Sequence, residues 1–128
     1  MTIAKHLVKR ILIDSGSSAD VLFYDAFVRM NLSRAELKPV LSPLVAFNGE
    51  SINVEGEVIL LVTVGTPPLA KTILVTFTVV NIPSAYNAIL GCPSLNQLDA
   101  MISTRCLLVR FMTDQGVGEM KGESLTAK

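Results

Sequence analysis

Residues 11–16 constrain this chain more than any other stretch. Ile11-Leu12-Ile13 is an unbroken apolar run, and Asp14-Ser15-Gly16 follows at once. Such a run suits a strand buried on both faces. A carboxylate at its end is costly to desolvate unless it finds donors or shares a proton. Gly16 lets the backbone turn sharply and bring N–H groups to that carboxylate, and Ser15 can offer a hydroxyl to a neighbour. Two local readings are open. Asp14 is either the centre of a chemical site or part of a strand-ending turn in which Asp14 or Ser18 caps a helix. Taken alone, the local pattern favours the turn. A second segment, residues 88–91, also runs an apolar strand into a glycine, which suggests internal duplication.

Composition narrows the function classes. The chain has 128 residues, enough for one domain, and 11 basic residues balance 11 acidic ones. That balance argues against a nucleic-acid binder, which needs a basic excess to neutralise phosphates. Half the residues are apolar and 17% are charged, which excludes intrinsic disorder. The longest apolar stretches, 58–64 and 73–80, fall far short of the ~20 residues of a membrane helix. Lys5, His6, Lys9 and Arg10 interrupt any secretory leader. Cys92 and Cys106 make no disulfide framework, and with His6 as the one histidine a zinc site or a Cys–His nucleophile pair is not expected. Mean hydropathy is +0.51, high for a domain this small. A small domain buries a limited share of its surface, so the surplus calls for association with another copy or excision from something larger.

The pattern favours strands. Residues 7–13 read as a strand entered from a turn at Lys5-His6, and 19–23 as a short strand. Residues 24–30 read as a helix with Phe27 and Met30 on one face. Ser33-Arg34-Ala35-Glu36 has capping-box spacing for a single turn. Residues 44–47 and 51–54 flank Asn48-Gly49, a dipeptide suited to a two-residue hairpin turn. Residues 57–64 and 71–80 are strands around Gly65-Thr66-Pro67-Pro68. Residues 88–90 form a buried strand ending at Gly91, and Pro93 sits in the first turn of a helix reaching Leu98. Strands follow at 101–103, 107–112 and 117–121, with 122–128 a polar, frayed tail.

The run from Asp14 to Phe23, the Asn-Gly hairpin, the Pro-Ser-Ala-Tyr-Asn-Ala-Ile-Leu-Gly segment at 83–91 and the strand at 107–111 together resemble the retropepsin-like aspartic proteases. The match is nearest to the protease region of plant Ty3/gypsy-type retrotransposon gag-pol polyproteins and covers nearly the whole chain. The resemblance implies an all-β fold: a closed, barrel-like protomer with a flap hairpin and one or two short helices, spanning residues 1–121. It implies an intracellular, cytoplasmic endopeptidase active as a homodimer with one aspartate per protomer. Water is the nucleophile, the substrate is a polypeptide, and neither metal nor cofactor is needed.

In that family pattern Asp14 is catalytic, Ser15 bonds across the dimer axis and Gly16 supplies an N–H. Ser17, Ser18, Phe47, Asn48, Gly49, Ile89 and Leu90 fall at substrate-binding positions, with 44–54 as the flap and Ile89-Leu90-Gly91 bracing the catalytic turn. Asp20 is placed within reach of the cleft. Ser15 stands where relatives often carry threonine, and Cys92 where they usually carry an arginine that makes a charged bond near the site or the dimer contact. Arg105-Cys106 and Met112 also depart from the pattern, and relatives have a fuller first strand before Ala4. The alternative reading is a catalytically silent, retroelement-derived module for dimerisation or peptide binding.

Overall fold

A computed structural model describes residues 1–39, 54–103, 108–121 and 124–126. The elements are strands β1 (Thr2–Ile3), β2 (His6–Leu7), β3 (Ile11–Asp14) and β4 (Asp20–Phe23), helix α1 (Tyr24–Arg29) and a 3-10 turn (Arg34–Glu36). Then come β5 (Val54–Val64), β6 (Lys71–Val80), β7 (Ala88–Leu90), helix α2 (Cys92–Gln97), β8 (Met101–Ser103), β9 (Leu108–Thr113), β10 (Gly116–Lys121) and β11 (Ser124–Thr126). No helix among the described residues is long and apolar enough to cross a membrane.

Eight strands form one curled sheet in the order β11-β3-β7-β4-β6-β5-β1-β2, and β10-β9-β8 form a second. Period-two alternation builds the inner face of the large sheet. In β5, Val58, Leu60, Val62 and Val64 are buried while Ile59 and Leu61 point outward and stay exposed. Phe27 from α1, Phe77 from β6 and Phe111 from β9 are the largest fully buried side chains and meet in one core. Ser33 caps the 3-10 turn, but its Oγ accepts the Ala35 amide, at 3.1 Å, and not the Glu36 amide that a capping box would use.

β7 lies between the two strands that flank the Asp14 turn. It pairs in parallel with β3, Leu12 opposite Ile89 and Ile13 opposite Leu90, and antiparallel with β4. The two segments that run an apolar strand into glycine are therefore neighbours.

The structure differs from the sequence reading at several points of the fold. The strand expected over 7–13 is broken: Arg10 takes a left-handed conformation (φ 56°). The break is imposed from far along the chain, because the Asn87 amide donates to Arg10 O at 2.9 Å and its side-chain Nδ2 to Lys9 O at 2.7 Å. Freed by this turn, residues 6–7 fold back on Thr2–Ile3 as a hairpin. Within the segment read as a frayed tail, Ser124–Thr126 pairs in parallel with Leu12–Asp14, taking the free edge of β3. Asp20, placed by sequence near the cleft, is 3% exposed.

Candidate active site

Asp14 is the last residue of β3, half-buried, and the chain turns directly after it. The Gly16 amide donates to Asp14 Oδ1 at 3.0 Å, and the Ser17 amide to the Asp14 carbonyl at 3.1 Å. The small residues that follow permit this tight return, and the first bond fixes the carboxylate against its own backbone. Ser17 Oγ turns back to donate to Ala19 O at 2.8 Å.

The turn rests on the start of α2. The Cys92 amide donates to Ser17 O at 2.8 Å. Gly91 lies flat against the turn, because a Cβ there would meet Ala19 O at 2.3 Å and Ser17 O at 2.8 Å. Only glycine allows that approach. The Gly91 amide donates to Asp20 Oδ1 at 2.8 Å. Burial pushes the Asp20 carboxyl above its ordinary 3.8, an effect opposed by the Gly91 amide and by the hydroxyl and amide of Ser94. The Ser94 hydroxyl is buried and faces this carboxylate outside good hydrogen-bonding geometry, with no partner of its own.

Ser15, Gly16, Ser17 and Ser18 line an open cleft of about 400 Å³ together with Cys92, Pro93 and Asn96. Asn96 Nδ2 lies 3.4 Å from Cys92 Sγ across its far side. A smaller cleft of about 200 Å³, between His6–Leu7 and α1, lies apart from the turn, and its polar residues His6, Lys9 and Arg29 are all exposed. Among the described residues no three of His, Cys, Asp and Glu gather as a metal site requires.

Of the residues singled out from sequence, Asp14, Ser15, Gly16, Ser17 and Ser18 lie together on the turn, and Ile89 is beside β3, half-buried against Val21, Phe23 and Val80. Leu90 is a correction: at 0% exposure it packs into the main core under β3 and has no surface to offer a peptide. Phe47, Asn48 and Gly49, with the flap hairpin, lie outside the described residues. Sequence reading missed the link from Asp20 through Gly91 to α2. Its signal was Asp20 standing at the mouth of the apolar run Val21-Leu22-Phe23, as Asp14 stands at the end of Ile11-Leu12-Ile13.

No protein-family model and no curated protein matches the chain. Solved structures do match. One is the retroviral protease-like domain of Ddi1 from Leishmania major, with a TM-score of 0.58 and 18% identity, over 93% of this chain and 88% of that one. The fold is retropepsin-like. At that identity the likeness is one of architecture, and the chemistry lies in the residues on the turn.

Chemically, the turn presents one half-buried carboxylate whose Oδ1 accepts an amide, and the serines that follow it line an open cleft. A single carboxylate so held can accept a proton from water. It cannot by itself also donate one to the atom under attack.

Proposed function

We propose that the chain is one protomer of a homodimeric aspartic endopeptidase that processes a retroelement polyprotein. The observation that carries this reading is Asp14 at the end of a strand, in a tight turn backed by Gly91, within a retropepsin-like fold. Hydrolysis by carboxylates needs two of them, roughly 3 Å apart and sharing one proton. The chain supplies one such turn, so a twofold axis beside Asp14 supplies the second. One carboxylate then takes a proton from the attacking water while its protonated mate donates to the scissile carbonyl. Ser15 bonds across the axis. A peptide lies along the cleft lined by Ser17 and Ser18. Neither metal nor cofactor enters the reaction.

The test is cleavage of a mixed peptide library by wild type and Asp14→Asn, across acidic to neutral pH. Asparagine is nearly isosteric with aspartate, so fold and dimer are expected to persist while cleavage is lost. A statine-type peptide is expected to inhibit and EDTA to have no effect. Cleavage that persists in Asp14→Asn, or that stops with EDTA, overturns the reading. A confirmed dimer that cleaves nothing establishes the silent module instead.

A further inference from the structure

We propose that Asp20 is a positioning residue for the Asp14 turn: its carboxylate fastens the amino end of α2, and α2 holds the Ser17 carbonyl from which the turn hangs. The proposal deepens the peptidase reading and rests on it for its kinetic consequence.

The starting point is an expense. Asp20 opens β4 at 3% exposure, followed by Val21, Leu22 and Phe23. A carboxylate buried there lowers stability unless its contacts offset the lost hydration. Those contacts all lie at one place. Gly91 is the residue that precedes the first turn of α2, and it has no side chain with which to cap the helix. The first amides of a helix have no partner within it. Asp20, 71 positions earlier, accepts the Gly91 amide at 2.8 Å and faces the Ser94 amide and hydroxyl. A neighbouring strand thus supplies the acceptor that the local sequence lacks.

The capped end then reaches the turn through backbone. Gly91 touches the Ala19 and Ser17 carbonyls so closely that no side chain fits. The next amide, Cys92, donates to Ser17 O at 2.8 Å, and the Ser17 amide donates to Asp14 O at 3.1 Å. The route from one carboxylate to the other is therefore Asp20, Gly91, Cys92, Ser17, Asp14, joined by covalent bonds and three short hydrogen bonds. The core of the β5–β6 hairpin, by contrast, is held by its own ladder. Losing Asp20 should loosen the turn and leave that ladder unchanged.

Asp20→Asn tests this, because it keeps the shape and weakens the charge-assisted bond. Amide hydrogen exchange is read residue by residue on the folded chain. Ser17, Gly91 and Cys92 are expected to exchange about tenfold faster, the size of one hydrogen bond to a charged group, while Val62 and Val75 keep wild-type rates. For cleavage, kcat is expected to fall about tenfold, because the loosened turn carries Asp14, and KM to rise with it, because the same turn carries the peptide-lining Ser17. If Asp20→Asn does not fold, Asp20→Ser, a smaller neutral side chain, is read in the same way, with faster exchange at Gly91 and Cys92 again expected. Unchanged exchange at Ser17 and Cys92 overturns the proposal, as does a uniform rise that includes Val62 and Val75. A wild type without peptidase activity removes the peptidase reading alone, because the exchange experiment still decides the role of Asp20.

Discussion

The carbonyl oxygen of Ala19 stands where a side chain on Gly91 would begin: a Cβ built there lies 2.3 Å from it. The obstacle is backbone on both sides, since Ser17 O is the next nearest atom at 2.8 Å. Neither can swing aside as the end of a flexible side chain could. Gly91→Ala is therefore expected to push β7 away from the Asp14 turn and to lower stability by roughly 1–3 kcal/mol, the usual range for overpacking. Urea unfolding measures it. A variant as stable as wild type would show that the turn yields easily, and the close packing would then have no mechanical importance.

Asn87 ties three segments together through its side chain and its own backbone amide and carbonyl. Its Nδ2 donates to Lys9 O at 2.7 Å, its Oδ1 accepts from Arg29 Nη2, its amide donates to Arg10 O and its carbonyl accepts the Phe23 amide. Asn87→Ala keeps the backbone bonds and removes both side-chain bonds. The expected loss is about 1–2 kcal/mol, with Lys9 and Arg10 losing order before β3 does. Equal stability of the two proteins in thermal unfolding would mean that the left-handed Arg10 holds its place without the clamp.

That clamp shows where reading from sequence stops. The apolar run into Asp14 and the parallel run into Gly91 were legible because burial dictates residue type locally, and two such strands have few places to go except beside one another. The helix at 24–29 was legible from the spacing of Phe27 and Met30. The break at Arg10 was not, because its cause lies far along the chain in Asn87, whose amide and side chain hold Arg10 and Lys9. Nor was β11, whose pairing answers to the open edge of β3 and to nothing in its own polar residues. At the site, the turn itself could be read off Asp14-Ser15-Gly16. The support beneath it could not, because a helix capped by a residue of another strand leaves no pattern near the helix.

The Glu55 carboxylate offers a pH test with a definite sign. Arg34 Nη2 donates to it at 2.9 Å and Asn81 Nδ2 at 3.2 Å, and these bonds, Arg34 first, hold its pKa below the ordinary 4.5. A folded value below the unfolded one means stabilisation that is complete above about pH 4.5 and lost as pH falls through the folded value. Asp20 has the opposite sign: burial raises it above 3.8, so its ionisation lowers stability as pH rises from about 3.8 through the folded value, a cost that the Gly91 amide reduces. Glu55→Gln is expected to be slightly less stable than wild type at neutral pH, since Arg34 is largely solvated and such pairs are worth little. The difference is expected to vanish in acid. A gap that stays constant from neutral pH into acid would mean that the pair acts through shape and not charge.

The last prediction separates two ways in which the apolar surplus could drive association. Ile59 and Leu61 on β5 and Leu74 on β6 are each at least half exposed, and Leu61 sits directly opposite Leu74. This outer face is the obvious adhesive surface. Yet an axis beside Asp14 would have to bring together the turns after β3, and in the sheet order β7 and β4 separate β3 from β6. The proposed dimer therefore does not use the β5–β6 face. Leu61→Lys combined with Leu74→Lys removes the apolar pair and places two cations there, where a second copy of the same face would be repelled. Folding should suffer little, because both positions are solvated in the protomer. Sedimentation over a dilution series is expected to give the same dimer dissociation constant for this double variant as for wild type. Cys92→Arg, beside the turn, is expected to tighten the dimer by restoring a long cation on the cleft rim. If the double variant becomes a monomer while Cys92→Arg changes nothing, the interface lies on the hairpin, the two Asp14 carboxylates do not meet, and the peptidase reading falls with them.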